Sequence, residues 1–196
     1  MRRGFRVRVP VWAVAAAIAL AVPSLVAARV DVKVGFDKSF DFKPMRTWAW
    51  NPGGPGEVKM ARTKDDDPDA MQKRTMPIIV EAITASMAQR GLKPATGAPD
   101  LTVTYYLLLT TSMSAQTLGQ FLPATTAWGL PPFEQATQSI SIMNRGSFVI
   151  DLSAAPGVVW RGVAQANIKM DADSKSREAL LREAVRDLLR RYPPRQ

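Results

Sequence analysis

Cysteine and histidine are both absent from this chain of 196 residues. Without histidine, the protein lacks the commonest general base, the triads and dyads that depend on an imidazole, and the usual ligand of catalytic zinc. Without cysteine, it lacks thiol nucleophiles, thiolate metal sites and disulfides. A hydrolase built on this chain would need a lysine or a carboxylate as its base, and the fold must be stabilised by packing.

Sequence motifs for phosphate and metal binding are missing as well. The glycines of residues 51–56 are followed by Glu57, whereas a P-loop continues with lysine and then serine or threonine. The aspartates of residues 65–69 lack the alternating spacing, the central glycine and the distal glutamate of an EF-hand. The methionines of residues 71–87 fall on or near helical faces, where core packing explains them better than copper(I) ligation. We therefore predict no cofactor and no metal.

The first 28 residues have the order of a secretory signal peptide. Four arginines lie within residues 1–8, an apolar run covers residues 9–22, and small residues precede a cleavage site after Ala28. The mature chain would begin at Arg29 and carry a formal charge of +5, because four arginines of the total of +9 leave with the leader. An uncleaved leader would instead tether the protein to the inner membrane. A lipid anchor is excluded by the missing cysteine.

The mature chain, residues 29–196, is long enough for one domain with a hydrophobic core. We predict a single periplasmic domain. Its basic charge would suggest nucleic acid in a cytosolic protein, but an exported protein meets anionic lipid headgroups, lipopolysaccharide or cell-wall polymer instead. Contact with a membrane stays open, and nucleic acid is not expected as a partner.

Alternation of apolar and polar residues predicts five strands. They cover residues 30–36, 47–50, 101–109, 148–152 and 158–168.

Two helices are predicted, over residues 68–90 and 174–191. Asp67 caps the first helix and Gly91 closes it with a left-handed conformation. Pro77 should either kink this helix or mark its true start. The order β-β-α-β-β-β-α, with short turns late in the chain, favours an α+β domain: a mostly antiparallel sheet with both helices packed on one face.

The middle of the chain carries almost no charge. Glu134 is the single charged residue within residues 101–144. The stretch 110–137 is too long for an ordinary connection in a compact domain, and residues 138–142 could add another strand. If its aromatic side chains are exposed, this segment contacts a partner or lipid, and if they fold over a sheet face they belong to the core.

The second face of the sheet, opposite the helices, is predicted to be either exposed or covered by the middle segment. Together with the aromatic side chains of that segment, it forms the candidate interaction surface. The members of this surface are Phe121, Trp128, Phe133, Arg161, Gln165 and Lys169.

The composition does not exclude catalysis by a pair of carboxylates, since a glycosidase needs only two of them. The candidates are Asp37, Asp41, Asp100 and Asp151. Asp151 is predicted to lie on the outward side of its strand, where an aspartate is ordinarily exposed.

Several short motifs resemble one family, the domain of unknown function numbered 4136, over nearly all of residues 30–194. The motifs are Thr47-Trp48-Ala49-Trp50, Asp67-Pro68, Arg90-Gly91-Leu92, Pro99-Asp100-Leu101, the run from Gly146 to Leu152, Val159-Trp160-Arg161-Gly162 and Tyr192-Pro193-Pro194.

The resemblance implies an exported α+β envelope protein of a Gram-negative bacterium and supplies no catalytic residue. Many relatives carry a lipid-bearing cysteine and a middle loop rich in glycine and tyrosine, and this chain has neither. From the residues and the resemblance together, we expect a non-catalytic periplasmic protein that binds an envelope protein or an anionic envelope polymer. The alternatives are a periplasmic hydrolase with paired carboxylates and a membrane-tethered assembly factor.

Overall fold

The computed structural model describes residues 30–61, 67–110, 145–167 and 173–194. The leader, the predicted strand over residues 138–142 and most of the middle segment lie outside these ranges. Four members of the candidate interaction surface lie outside them too: Phe121, Trp128, Phe133 and Lys169.

The described residues form seven strands and two helices. The strands are β1 (Asp31–Phe36), β2 (Thr47–Trp50), β3 (Gly56–Ala61), β4 (Lys93–Pro94), β5 (Leu101–Thr110), β6 (Arg145–Ala154) and β7 (Gly157–Asn167), and the helices are α1 (Pro68–Gln89) and α2 (Ser174–Leu189). The α+β class and the predicted order are confirmed, with β3 and the two-residue β4 as additions.

All strands belong to one mixed sheet with the order β1-β7-β6-β5-β2-β4, in which β3 also pairs with β5. The pairs β1–β7, β7–β6 and β6–β5 are antiparallel, and β7–β6 and β6–β5 are the longest ladders of the sheet. Strands β2 and β3 run parallel to β5. The reason is α1, which carries the chain back along the sheet between β3 and β5, so that both strands run in the same direction.

Helix α1 begins and ends where its sequence signals predict. The Asp67 side chain accepts hydrogen bonds from the amides of Asp69 and Ala70 at 3.0 and 3.1 Å, and Gly91 closes the helix with φ of 79°. Pro77 lies inside the helix, so it does not mark the start, although its missing N–H removes one helical hydrogen bond. Neither described helix is long and apolar enough to cross a membrane.

The hydrophobic core lies between the sheet and both helices, as predicted. Its sheet side is formed by alternate residues of β5, β6 and β7, among them Val103, Tyr105, Ile150, Leu152 and Trp160. The helices contribute Ile79, Ile83, Met87, Val185 and Leu188.

Both helices end at the same end of the sheet, which we call the lower end. Directly after α1, the amide of Lys93 donates to the carbonyl of Arg46 at 2.9 Å, beside the start of β2. After α2, the ring of Tyr192 packs edge-on against Phe42 at 5.8 Å.

Two tyrosine hydroxyls are buried in the core without a hydrogen-bond partner among the described residues. They belong to Tyr105 and Tyr192, and burial raises the pKa of each to about 12. A buried hydroxyl without a hydrogen bond destabilises the folded state, because it loses its hydrogen bonds to water on folding and gains none in the protein.

We predict that Tyr105→Phe leaves the free energy of unfolding at pH 7 unchanged or higher, because the hydroxyl has no partner to lose. The folded-state pKa of Tyr105 lies above the ordinary value of about 10. Below pH 10 the phenol is neutral in both states, and as the pH rises from about 10 towards 12 its ionisation in the unfolded chain lowers the free energy of unfolding. The variant should therefore gain stability relative to wild type at alkaline pH. Urea unfolding at pH 8 and about pH 11 measures both effects. A clear loss of stability at pH 8 would show that the hydroxyl is bonded.

Candidate functional site

The second face of the sheet holds a buried ion pair. Asp151 of β6 and Arg161 of β7 lie directly opposite one another in the strand register. Arg161 donates from Nε to Oδ1 and from Nη2 to Oδ2, both at 2.6 Å. Each residue is 1% exposed. The expectation of an exposed Asp151 is therefore wrong. Arg161, on a face predicted to be either exposed or covered, is buried with it.

The surroundings of the pair explain why this expectation fails. Val149 and Val163 lie two residues from Asp151 and Arg161 on the same face and are also buried, as is Leu108, so the pair has buried apolar neighbours. A charge in such a place is tolerated only when it is paired and hydrogen-bonded, and the bidentate geometry of arginine with a carboxylate provides both. Arg161 is thus engaged by Asp151 inside the domain.

Electrostatics and neighbouring side chains give the pair a structural role. Burial raises the pKa of Asp151, while the hydrogen bonds and positive charge of Arg161 act in the opposite direction. Both carboxylate oxygens are bonded to Arg161, which leaves Asp151 poorly placed to act as a base or nucleophile.

Nearby, burial and the charge of Asp151 raise the pKa of Tyr106. Gln165, the other described member of the candidate surface, donates weakly to the hydroxyl of Ser147 at 3.4 Å.

The three remaining candidate carboxylates are engaged by the backbone near them. Asp37 accepts from the amide and hydroxyl of Ser39, and these bonds lower its pKa. Asp41 accepts from the amide of Lys43. In the described ranges, no three acidic side chains are grouped so that they could hold a metal ion.

Asp100 ties β5 to β2. Its Oδ2 accepts from the amides of Arg46 and Thr47 and from the Thr47 hydroxyl, at 2.8–2.9 Å. These bonds lower the pKa of Asp100, whereas a general acid at neutral pH needs a raised one. Asp100 is therefore a structural carboxylate at the lower end of the sheet.

An apolar hollow of about 40 Å³ lies at the opposite, upper end. Leu107, Phe148, Ala164 and Leu181 contribute to its lining, and every described residue that lines it is apolar. A hollow of this size has room for a few methyl groups and offers no polar group to orient a substrate.

The lower end carries a cluster of exposed cations, which we call the lower basic rim. Its members are Lys43, Arg46, Arg90, Lys93 and Arg191, all exposed.

Contacts with backbone carbonyls bring three of these residues together. Lys93 donates to the Arg46 carbonyl, and Nη1 of Arg46 donates to the Lys43 carbonyl at 2.5 Å. Arg90 is the C-cap of α1. Arg191 precedes Tyr192, which lies close enough to Arg46 for that positive charge to lower the pKa of its hydroxyl, against the larger effect of burial.

No member of the rim forms an ion pair with another described residue. With Asp41 and Asp100 nearby, five cations and two carboxylates leave a formal charge of +3. Arg90 and Arg191 are explained in part by the negative ends of the helix dipoles. That explanation does not apply to Lys43 and Arg46, which lie in the segment before β2.

The family model described as "Domain of unknown function (DUF4136)" matches residues 32–194. The chain belongs to this family. No curated protein matches the chain at a significant level.

Solved structures from three bacteria are similar to the chain at low identity and low scores. A DUF4136 family protein from Bacteroides thetaiotaomicron VPI-5482 is 18% identical, with coverage of 84% of this chain and 96% of that chain and a TM-score of 0.47. A PDZ domain protein from Parabacteroides distasonis ATCC 8503 is 16% identical, with coverage of 88% and 38% and a TM-score of 0.46. The PelC dodecamer from Paraburkholderia phytofirmans is 9% identical, with coverage of 82% and 96% and a TM-score of 0.38. At these identities and scores, no activity, partner or assembly is transferred to this DUF4136 domain.

We predict a strong thermodynamic coupling between Asp151 and Arg161. Arg161→Met leaves a buried carboxylate and Asp151→Leu leaves a buried guanidinium, so each change should lower the free energy of unfolding by about 3–5 kcal/mol. The double variant removes both charges and should return to within about 1 kcal/mol of wild type or exceed it. Urea unfolding of the four proteins gives the coupling energy.

The matched control is Ser147→Ala with Gln165→Ala, on the same face and joined by the long 3.4 Å bond. These two changes should be nearly additive. Additive losses for Asp151 and Arg161 would contradict the assignment of the pair as a mutually dependent unit.

Proposed function

We propose that this DUF4136 domain is an exported envelope protein that binds an anionic envelope polymer, without catalysis, through the lower basic rim. The observation that carries the proposal is a group of five exposed cations, none in an ion pair with a described residue, at one end of the sheet. Export is supported by the leader over residues 1–28 and by its cleavage signal.

The positions of the carboxylates favour binding over hydrolysis. Asp37 and Asp100 have lowered pKa values and hold backbone amides, and both oxygens of Asp151 are bonded to Arg161. A hydrolase with two carboxylates needs one of them held protonated and facing the other across a cleft. Asp37, Asp100 and Asp151 are not held in this way.

The rim is suited to a repeating anion rather than to a small ligand. Its cations come from the segment before β2, the end of α1, β4 and the end of α2. Their long side chains can reach neighbouring phosphate or carboxylate groups without a preformed pocket. Each contact is weak and screened by salt, so affinity depends on several contacts at once. Binding to a polymer supplies those contacts, because its charges are already linked.

We predict that the variant Lys43→Gln, Arg90→Gln, Lys93→Gln binds purified lipopolysaccharide roughly tenfold more weakly than wild type at low ionic strength. Each exposed ionic contact contributes roughly 0.5 kcal/mol, and three are removed. The difference should shrink at physiological ionic strength. Biolayer interferometry on immobilised lipopolysaccharide measures it, and uncharged dextran tests for binding without charge.

The control variant, Lys73→Gln, Arg74→Gln, Lys175→Gln, removes the same charge from exposed positions away from the lower end. It should bind nearly as wild type does. Equal losses in both variants would mean that net charge alone drives binding, and no loss in either would exclude the rim.

We also predict that the protein recovered from the cell envelope begins at Arg29. Intact-mass measurement of a C-terminally tagged copy decides this directly. A chain that retains Met1 and stays in the inner-membrane fraction would support the tethered alternative instead.

A further inference from the structure

The outer edge of β1 carries backbone groups without a strand partner in the described part of the chain. β1 lies at one end of the sheet order and pairs only with β7 there. The Asp37 amide donates to the Val159 carbonyl at 2.9 Å, so the odd-numbered residues of β1 are the ones whose backbone groups face β7. Because antiparallel neighbours bond through alternate residues, the N–H and C=O groups of Val32, Val34 and Phe36 point away from β7.

The outer edge of β3, in contrast, is covered by a side chain that bonds to its backbone. The amide of Val58 donates to Oε1 of Gln72 at 2.7 Å, and Nε2 of Gln72 donates to the carbonyl of Gly56 at 2.9 Å. The Gln72 side chain of α1 thus takes the place that a neighbouring strand would occupy. β1 has no proline, and its ladder to β7 runs without an irregularity.

We propose that β1 pairs with β1 of a second copy of this chain, antiparallel and about a two-fold axis at Val34. In this arrangement Val34 bonds to Val34 of the second copy, and Val32 bonds to Phe36 on either side. Three residue pairs with two bonds each give about six hydrogen bonds.

The sequence of β1 favours this register over its neighbours. An axis at Lys33 would set two lysines directly opposite each other, which is unfavourable. An axis at Gly35 would leave Val32 without a partner within the strand. With the axis at Val34, Lys33 lies opposite Gly35 of the second copy and diagonal to both its Asp37 and its Lys33, so no two lysines are directly opposed.

Apolar surface beside the edge adds to the pairing. Val34 and Phe36 are half-buried in the monomer and pack at the border of the core, as does Val30. Joining two copies would continue the sheet and bring these side chains together. A strand of six residues buries little area, so we expect a weak dimer with a dissociation constant of about 1–100 µM.

The test uses the mature chain, residues 29–196, and the absence of native cysteine. A single Val34→Cys change places two thiols next to each other at the axis, and mild oxidation should give a disulfide-linked dimer. Thr84→Cys, on the exposed side of α1, is the control and should stay monomeric. Failure of Val34→Cys to crosslink more than Thr84→Cys would overturn the proposal.

A pair of proline variants separates pairing from folding. In Val34→Pro, the lost N–H is the one that points to the open edge, so the variant should fold, by circular dichroism, and no longer dimerise in light scattering across a concentration series. In Lys33→Pro, the lost N–H bonds to β7, so stability should fall clearly. A dimer that persists in folded Val34→Pro lies elsewhere and overturns the proposal, as does a wild-type chain that stays monomeric throughout.

Discussion

The bidentate bond between Asp151 and Arg161 fixes how β6 and β7 are aligned, and both faces of the sheet depend on that alignment. The hairpin contains an irregularity at Val159, after which Leu152 faces Trp160 and Asp151 faces Arg161. A slip of one residue would turn Arg161 to the helical side and leave two buried charges apart. Such unpaired charges cost several kcal/mol, so the pair penalises the wrong register more than it stabilises the right one.

The correct register also places the side chains on which α2 rests. A Cβ atom on Gly162 would lie 2.6 Å from the Trp160 ring and 2.8 Å from Leu188, so this position accepts only glycine without a shift of its neighbours. With glycine there, Trp160 lies flat beside the strand and α2 approaches the sheet closely. Tyr192 then packs against Trp160 at 6.1 Å, which holds the end of α2, and with it Arg191, at the lower end.

Local signals in the sequence predicted the elements well, because caps, turns and alternation act over a few residues. Asp67 and Gly91 bounded α1, and alternation along β5 and β6 predicted which of their residues face the helices. Burial of Asp151 and Arg161 could not be predicted in this way. A two-residue turn alone would set Asp151 opposite Trp160, and only the irregularity at Val159 brings Arg161 across. The lower basic rim was missed for a related reason: its members are far apart in sequence and meet only through the crossover that returns the chain beside β2.

The two edges of the sheet are treated differently, and the difference has a physical consequence. A free edge next to half-buried apolar residues is a hazard in a soluble protein, and natural sheets usually blunt it. Here the Gln72 side chain covers the outer edge of β3. In contrast, β1 has no strand partner on its outer side among the described residues, and its sequence can pair with itself. Pairing at β1 leaves the lower end free, since the strand edge runs along the side of the sheet. Because the pairing is antiparallel, two copies joined in this way would carry their basic rims at opposite ends of one continuous sheet. Each rim would stay free to bind, and only a polyanion long enough to span the joined sheet could contact both.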